Sequence, residues 1–228
     1  MILSVVATPI GNLKDISIRA KDVLTQSTLI LAEDTRTTGK LLKLLEISSK
    51  NKIFVSSHAQ SSDKELKKAI ERCFGHENIA LVTDAGTPAI SDPGSFFIQE
   101  FRKFYPEASI VPIPGASALV SILSVSGFSS SHFEFLGFIP HKKGRETTFK
   151  KIAETNHTIV FYESPHRILK TLESLHKNIE DRTIIIGREM TKQFEEYPIG
   201  TAKSLLDYFN SNPSKIKGEF VIVVKSKK

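Results

Sequence analysis

Residues 78–94 read NIALVTDAGTPAISDPG, and this segment contains the pattern that decides the fold. It begins with the apolar run at residues 79–82, which is typical of a strand buried on both faces. A loop rich in glycine, proline and aspartate follows, and these residues give it a defined shape. Asp92 and Pro93 then predict an N-cap and a first helical residue for a helix over 94–104. A strand, a shaped loop and a helix in this order are typical of an open α/β sheet.

Two more loops of the same kind follow predicted strands. Residues 8–12 (TPIGN) follow a predicted strand over 3–7, and residues 114–118 (PGASA) follow one over 110–113. The carboxyl ends of parallel strands meet at one edge of a sheet, so the three loops predict a ligand site there. They match neither the GxGxxG motif nor the P-loop, which favours a neutral or zwitterionic ligand with an adenine-like ring. The alternative is that each loop is an ordinary connection and that Asp84 caps its own turn.

The chain divides into two predicted domains. Strands and helices alternate through residue 126, which predicts an N-terminal domain over 1–127 with a mainly parallel, wound sheet. Residues 127–132 are rich in serine and glycine and predict a linker. Several predicted strands in residues 132–228 follow one another closely enough to pair antiparallel. The predicted fold class is therefore α/β, with a second, mixed-sheet α/β domain over 132–228.

The charge balance is basic. The chain has 31 lysines and arginines against 25 aspartates and glutamates, a net charge of +6 at pH 7. A polyanionic partner fits this balance, although an ordinary solvated surface explains it equally well. Lys142, Lys143 and Arg145 form one local basic cluster and the tail at 225–228 forms another, and both are candidate phosphate contacts.

Several classes of protein are excluded. No apolar run reaches the roughly 20 residues that cross a bilayer, and the N-terminus is typical of a strand rather than of a signal peptide. Cys73 is the single cysteine, which excludes an internal disulfide and predicts a cytoplasmic protein. The histidines lack the spacing of metal ligands, so no metal site is predicted.

Charged residues follow further predicted strands. Glu33, Asp34 and Arg36 follow a predicted strand over 28–32, and residues 188–192 (REMTK) repeat the mixture of acid, hydroxyl and base. A carboxylate beside an arginine at a strand end is either part of a site or an exposed ion pair. Both interpretations stay open.

A helix is predicted to begin at Ser164 and Pro165. Its first N–H groups and its dipole favour an anion, and His166 and Arg167 project from this first turn. The arrangement is typical of a phosphate site. The alternative is that the turn only caps the helix and that Glu163 pairs with Arg167.

Eight motifs along the chain carry a resemblance to a known family. They are ATPIGNL at 7–13, AEDTR at 32–36, TDAGTPAISDPG at 83–94, PGASA at 114–118, FLGF at 135–138, YESPHR at 162–167, REMTK at 188–192 and KGEF at 217–220. With these motifs the chain resembles the ribosomal RNA small-subunit methyltransferase I family, within the tetrapyrrole-methylase-like S-adenosylmethionine enzymes. The resemblance spans essentially all of the sequence.

The resemblance implies a fold, a cofactor and a reaction. The fold would be two α/β domains with S-adenosylmethionine in the cleft between them, and the protein would be a homodimer. The reaction would be methyl transfer to the ribose 2′-hydroxyl of a cytidine in the decoding region of 16S rRNA. By motif position, the methyl donor would contact Pro9, Asp84, Ala85, Gly86, Thr87, Ile90, Ser91, Ser117, Ala118, Tyr162, Ile199 and Gly218.

The chemistry of such a transfer asks little of the protein, because the methyl group is already activated. The enzyme has to align the ribose oxygen and ease the loss of its proton. Candidate proton acceptors are Asp34, Glu163 and Glu189, with His58 a weaker one, and alignment without a strong base is also open. Candidate phosphate contacts are Arg36, His166, Arg167 and Lys192, beside the basic cluster at 142–145.

Two other functions are compatible with the sequence. The first is a methyltransferase of the same fold that acts on a tetrapyrrole or a protein residue, and the second is an RNA-binding ribosome assembly factor without catalysis. The motifs at 32–36 and 162–167 favour the rRNA branch. The family usually continues into a C-terminal helical extension, so RNA binding by this chain is expected to depend on its basic loop and its tail at 225–228, or on the ribosomal subunit.

Overall fold

The computed structural model describes residues 1–57, 63–92, 94–179 and 181–227, with the side chain of residue 63 excepted. His58, Pro93 and Lys228, on which sequence predictions depend, lie outside these ranges. The chain forms two compact units, Met1–Ser117 and Ala118–Lys228.

The first unit contains one five-stranded sheet. Its strands are β1 (Ile2–Val6), β2 (Leu29–Ala32), β3 (Ile53–Ser56), β4 (Asn78–Val82) and β5 (Ser109–Ile113). Its helices are α1 (Ile18–Gln26), α2 (Thr35–Leu44), α3 (Asp63–Glu71) and α4 (Gly94–Phe104). The strand order is β3-β2-β4-β1-β5, and all four pairings are parallel. The predicted parallel, wound sheet is confirmed.

The apolar strand sequences are explained by burial on both faces. All four residues of β2 are buried, as are the last four of β4. Leu29 and Leu31 face the layer that contains Phe97 and Phe101 of α4, whereas Ile30 and Ala32 face the layer with Leu24 and Leu42. Because successive side chains of a strand point to opposite faces, a strand covered by helices on both sides must be apolar throughout.

The second unit contains a mixed five-stranded sheet. Its strands are β6 (Phe133–Phe138), β7 (Thr158–Glu163), β8 (Ile184–Arg188), β9 (Ile199–Gly200) and β10 (Phe220–Val224). Its helices are α5 (Ala118–Ser126), α6 (Arg145–Glu154), α7 (Ile168–Asn178) and α8 (Ala202–Ser211). The order is β6-β7-β10-β8-β9; β6 and β7 are parallel, and the other three pairings are antiparallel. The predicted mixed sheet is confirmed.

The boundary between the units lies at residue 117, ahead of α5, whereas the sequence predicted a linker at 127–132. Helix α5 packs on β8 and β10 of the second sheet. Ile122 of α5 is fully buried, and its Cδ1 lies 3.0 Å from the position that a Cβ on Gly187 would take. Strict alternation of strands and helices does not reveal which sheet a helix covers, and for this reason the sequence grouped α5 with the strands before it.

The core of the second unit lies on the other face of its sheet. Phe149 of α6, Leu172 of α7 and Phe209 of α8 pack there with Phe161 and Ile222 of the central strands. In the part of the chain that the structure describes, no helix is long and apolar enough to cross a membrane.

Candidate active site

Three neighbouring strands of the first sheet carry the three loops that the sequence singled out. Strand β1 lies between β4 and β5, and all three are parallel, so their loops leave the same edge. Thr8 and Gly86 exchange two backbone hydrogen bonds, of 2.9 and 3.0 Å, which join the β1 and β4 loops. The Thr87 Oγ1 donates to Ala116 O at 3.0 Å, which joins the β4 and β5 loops. The loops therefore form one continuous surface, the loop rim (residues 7–12, 83–92 and 114–117).

The loop rim requires small residues because its backbone segments approach closely. A Cβ on Gly115 would lie 2.9 Å from the Cβ of Ala7. Gly86 has a φ of +86°, and a Cβ there would lie 3.3 Å from the Ile10 side chain. Glycine adopts positive φ without steric cost, and it also permits such contacts. The rim consequently presents backbone and short side chains.

The β4 loop contains two strained residues. Ala89 and Ser91 have φ of +70° and +64°, values that disfavour residues with a Cβ by roughly 1–2 kcal/mol each. Asp92 holds this conformation, since its Oδ1 accepts hydrogen bonds from the N–H of Ala89 (2.8 Å) and of Gly94 (2.7 Å). Strained backbone of this kind concentrates at functional sites.

The predicted cofactor residues of the first unit lie on the loop rim. Ala85, Ile90 and Ser91 are exposed, and Pro9 and Thr87 are half-buried. Gly86 is the exception, since it is buried beneath the surface that it shapes. The residues that the motif match selects in the first unit therefore lie together at one edge of one sheet, and their role in cofactor binding stays a prediction.

An acidic group adjoins the loop rim at the end of β2. Glu33 accepts a hydrogen bond from Thr83 Oγ1 at 2.6 Å, and Asp84 Oδ1 accepts one from the N–H of Asp34 at 3.1 Å. These two bonds fix the β2 end to the β4 end. The sequence grouped Glu33 with Asp34 and Arg36 as either part of a site or an exposed ion pair. Thr83 was not predicted as a site residue, because a hydrogen bond between two strand ends leaves no periodic signal in the sequence.

Asp34 is the N-cap of α2 and is paired with Arg36. Its Oδ1 accepts from the Arg36 backbone N–H at 2.8 Å, and its Oδ2 from Arg36 Nη2 at 2.7 Å. The hydrogen bonds from the Arg36 side chain and backbone hold the pKa of the Asp34 carboxyl far below its usual range. Asp34 is therefore a charged hydrogen-bond acceptor with little basicity, and Arg36 is 86% exposed beside it.

Glu163 is buried in the second unit, and both of its oxygens have partners. Oε1 accepts from Ser164 N at 2.7 Å and pairs with Arg167 Nη2 at 2.7 Å. Oε2 accepts from Thr171 Oγ1 at 2.6 Å, and Arg145 Nη1 lies 3.7 Å from it. The sequence alternative, a pair between Glu163 and Arg167, is thus present in the structure. Because the Glu163 side chain is fully buried among these partners, its carboxylate is not accessible to a substrate hydroxyl.

Glu189 also has structural partners. Its Oε1 accepts from Lys192 Nζ at 2.9 Å and from the Glu219 N–H at 3.0 Å. Burial disfavours its charged form, but these hydrogen bonds outweigh burial and lower its pKa. Gly218, with a φ of +84°, packs directly on this carboxylate, and a Cβ there would overlap it. The predicted cofactor residue Gly218 therefore has a structural reason to be glycine.

The remaining predicted cofactor residues lie at the end of the loop rim, at the start of α5 and in the second sheet. Ser117 and Ala118 are half-buried, and Ile199 is 58% exposed on β9. Tyr162 on β7 is half-buried beside Phe135, with ring centroids 5.0 Å apart. Burial raises the pKa of the Tyr162 phenol, and a backbone hydrogen bond from Leu119 partly offsets this effect.

The predicted RNA contacts fall into two groups. Lys142, Lys143 and His166 are exposed. Arg145 and Arg167, in contrast, are 13% exposed and point at Glu163. Lys192 is shared between the carboxylates of Glu189 and Glu219. Among the described residues, no group of three His, Cys, Asp or Glu could hold a metal ion.

Comparison with known proteins gives the family. Residues 3–206 match the family described as tetrapyrrole (corrin/porphyrin) methylases. Ribosomal RNA small subunit methyltransferase I of Haemophilus influenzae is 44% identical over 230 residues, which cover 99% of this chain and 79% of that protein. The chain belongs to the ribosomal RNA small subunit methyltransferase I family. The member from Thermotoga maritima is 41% identical and is covered over 98% of its length, so relatives of this family differ in length.

Solved structures show the same fold at low sequence identity. Diphthine synthase superposes with a TM-score of 0.73 at 14% identity, over 99% of this chain and 90% of that one. Cobalt precorrin-4 methyltransferase superposes with a TM-score of 0.69 at 16% identity, over 98% and 94%. At such identities the likeness concerns the fold alone, and it confirms the predicted tetrapyrrole methylase-like architecture.

Proposed function

We propose that the protein transfers a methyl group from S-adenosylmethionine to the ribose 2′-hydroxyl of a cytidine in the decoding region of 16S rRNA. The observation that carries the proposal is the loop rim: three loops of small residues, joined by hydrogen bonds, at the carboxyl edge of a parallel sheet. Its occurrence in a chain of this methyltransferase family supports a methyl donor as its ligand.

The chemistry of the loop rim fits S-adenosylmethionine. Its loops contain no lysine or arginine, so they offer nothing to neutralise a di- or triphosphate. Gly86 and Gly115 permit the close approach of the loops, where a Cβ would contact Ile10 or Ala7. Ala85 and Ser91 would contact the donor mainly through backbone, together with Pro9 and Thr87. When bound, the donor supplies a methyl group already activated by its sulfonium.

The residues of the chain then have to orient the acceptor. Of the three carboxylates predicted as proton acceptors, Asp34 is the one at the end of β2 beside the loop rim, where its N–H donates to Asp84. Glu163 and Glu189 belong to the second unit and pair there with arginine and lysine. Arg36 keeps the Asp34 carboxylate charged, and Asp84 holds the Asp34 backbone through its N–H. Since its pKa is so low, Asp34 contributes by accepting a hydrogen bond from the ribose hydroxyl, and alignment supplies most of the rate enhancement.

The partner of the reaction would be rRNA within the small ribosomal subunit, which would place the protein in the cytoplasm. Arg36, Lys142, Lys143 and His166 are the exposed groups available for phosphates. The homodimer implied by the family stays a prediction.

The experiment is methyl transfer from labelled S-adenosylmethionine to small ribosomal subunits, naked rRNA and a tetrapyrrole in parallel. We expect label in the subunit RNA and none in the tetrapyrrole. Label in the tetrapyrrole or in a protein would contradict the proposal. Binding of the donor, measured by calorimetry, without transfer to any acceptor would instead favour a non-catalytic assembly factor.

A further inference from the structure

Two arginines share one buried carboxylate in the second unit. The Glu163 side chain is fully buried, and Arg145 and Arg167 are each 13% exposed. Arg167 makes the direct ion pair at 2.7 Å. Arg145 is joined through Thr171, whose Oγ1 accepts from Arg145 Nη2 at 2.7 Å and donates to Glu163 Oε2 at 2.6 Å. We call these four residues the arginine clamp.

The arginine clamp fixes both ends of one loop. Residues 139–144 connect β6 to α6, and Arg167 Nη1 donates to Ile139 O, at 2.8 Å, at the start of this loop. Arg145 is the first residue after it, and its Nη1 lies 3.5 Å from Pro140 O. The Arg145 guanidinium also lies over the Phe149 ring, 5.0 Å from its centroid. The loop is therefore tied at each end to the same carboxylate.

Between its fixed ends the loop carries exposed basic residues. His141, Lys142 and Lys143 are all exposed, and Gly144 closes the loop with a φ of +86°. A lysine on a mobile loop loses conformational entropy when it binds a phosphate. A loop fixed beforehand at both ends loses less, so the same two lysines bind more strongly.

The charge of the arginine clamp favours the same ligand. Two guanidinium groups face one carboxylate, which leaves one positive charge in excess. In the described ranges, the carboxylate of Glu163 is the one acid within ion-pair distance of Arg145 or Arg167. This excess lies beneath a loop that already presents two lysines, and it makes the local potential positive.

We propose that Glu163 is a positioning residue for substrate RNA: with Arg145, Thr171 and Arg167 it holds residues 141–144 in the conformation that binds backbone phosphates. The proposal rests on the proposed function, because it takes the polyanion to be the rRNA substrate. It replaces the predicted role of Glu163 as a proton acceptor and the predicted roles of Arg145 and Arg167 as direct phosphate contacts.

A positioning role and a catalytic role predict different kinetics. If Glu163 positions the loop, its loss raises KM for the ribosomal subunit and leaves kcat and donor affinity nearly unchanged. If Glu163 removes the ribose proton, kcat falls with KM unchanged. The two roles also differ in a double-mutant cycle. If the arginine clamp acts through the lysines, the effects of losing the clamp and of losing the lysines on RNA affinity are not additive.

The test compares wild type with Glu163→Gln, Thr171→Val, Thr171→Ser and the pair Lys142→Ala/Lys143→Ala. Thr171→Ser keeps the hydroxyl and Thr171→Val removes it, so this pair tests the clamp even if Glu163→Gln folds poorly. Asp207→Ala, which removes an exposed ion pair with Lys203 on α8, is the matched control. RNA affinity is measured at several salt concentrations, together with KM, kcat and calorimetric affinity for S-adenosylmethionine.

We expect Glu163→Gln and Thr171→Val to weaken RNA binding roughly tenfold and to reduce the salt slope by about 0.7 for each lost phosphate contact. Thr171→Ser and Asp207→Ala should bind RNA with the affinity and the salt slope of wild type. Lys142→Ala/Lys143→Ala should reduce RNA affinity clearly less in the Thr171→Val background than in wild type. Full additivity, or a fall in kcat with RNA affinity unchanged, would overturn the inference. Failure of the proposed function would appear separately, as wild-type protein that binds RNA with this coupling but transfers no methyl group to it.

Discussion

At the scale of single residues, the paired charges of Asp34 and Arg36 define what the candidate site can do. Three hydrogen bonds from Arg36 reach Asp34, and a fourth joins the Asp34 N–H to Asp84. A carboxylate held in this way orients a neighbouring hydroxyl, but it does not take up a proton near neutral pH. The mechanism that we propose therefore relies on geometry rather than on a strong base.

Asp34→Asn tests this role. We expect kcat to fall roughly 100-fold, the cost of misplacing the reacting hydroxyl, with donor affinity unchanged. Because the pKa of Asp34 is lowered in the folded protein, the group stays ionised at every working pH, and the wild-type rate should show no acidic limb from it between pH 5 and 8. Single-turnover rates of wild type and of Asp34→Asn, measured between pH 5 and 8, test both expectations. Asp22→Asn, at an exposed position of α1, is the control; a kcat equal to that of this control would exclude Asp34 from the reaction.

Cys73 offers a test of burial at the same scale. The side chain is fully buried, and burial raises the pKa of its thiol to about 12. The unfolded thiol ionises near 8.5, so the free energy of unfolding should decrease as pH rises above that value. At pH 8 we expect no reaction of the folded protein with a thiol reagent and complete reaction in urea. Rapid labelling of the folded protein would contradict the packing of the first unit.

At the scale of elements, the loop rim depends on close contact between β1 and β5. Gly115→Ala places a Cβ 2.9 Å from the Ala7 Cβ, which has no flexible end that could move. We expect a loss of about 1–3 kcal/mol in the free energy of unfolding and weaker donor binding. Gly39→Ala on α2 is the control, since no atom lies within 4 Å of the new Cβ. That change should stabilise the protein by about 0.5–1 kcal/mol, as alanine does within a helix. Urea unfolding measures the stability of both variants, and calorimetry measures their donor binding. Equal changes in the free energy of unfolding would contradict the assigned packing.

Helix α5 provides the second prediction at this scale. Ile122→Ala should destabilise the second unit by about 2–5 kcal/mol, because the side chain is fully buried against its sheet. Val125→Ala, at a position 55% exposed on the same helix, should change stability by about 0.5 kcal/mol or less. Hydrogen exchange should accelerate at β8 and β10 and not at β1 and β4. The reverse pattern would assign α5 to the first sheet, as the sequence suggested.

The sequence predicted the strands, helices and loops better than it predicted the side-chain contacts of the charged residues. The apolar runs of β2 and β4 and the shaped loop at 83–92 identified the parallel sheet and its functional edge, because burial on both faces leaves a direct sequence signal. The direction of Arg145 and Arg167 left no such signal, since charged residues near a helix start are compatible with either solvent or a buried carboxylate. Thr171 carried a weak sequence signal of a buried polar contact, because it is a polar residue on the apolar face of α7, between Ile168 and Leu175.

At the scale of the whole molecule, the two units have different chemistry. The first presents small residues and backbone at one sheet edge, which suits a donor without phosphates. The second presents basic residues on a loop held by buried charges, which suits a polyanion. The fold is shared with enzymes at 14–16% identity, whereas the rRNA assignment depends on relatives at 41–44% identity, because function is determined by site residues rather than by fold.

The central claim is that this molecule methylates a ribose of small-subunit rRNA. The most direct measurement is mass spectrometry of nucleosides from small ribosomal subunits incubated with the protein and isotopically labelled S-adenosylmethionine. The account predicts one labelled nucleoside, 2′-O-methylcytidine, and a strong reduction of it with Gly115→Ala and with Asp34→Asn. A methyl group on a nucleobase, or the absence of label from RNA while the donor binds, would contradict it.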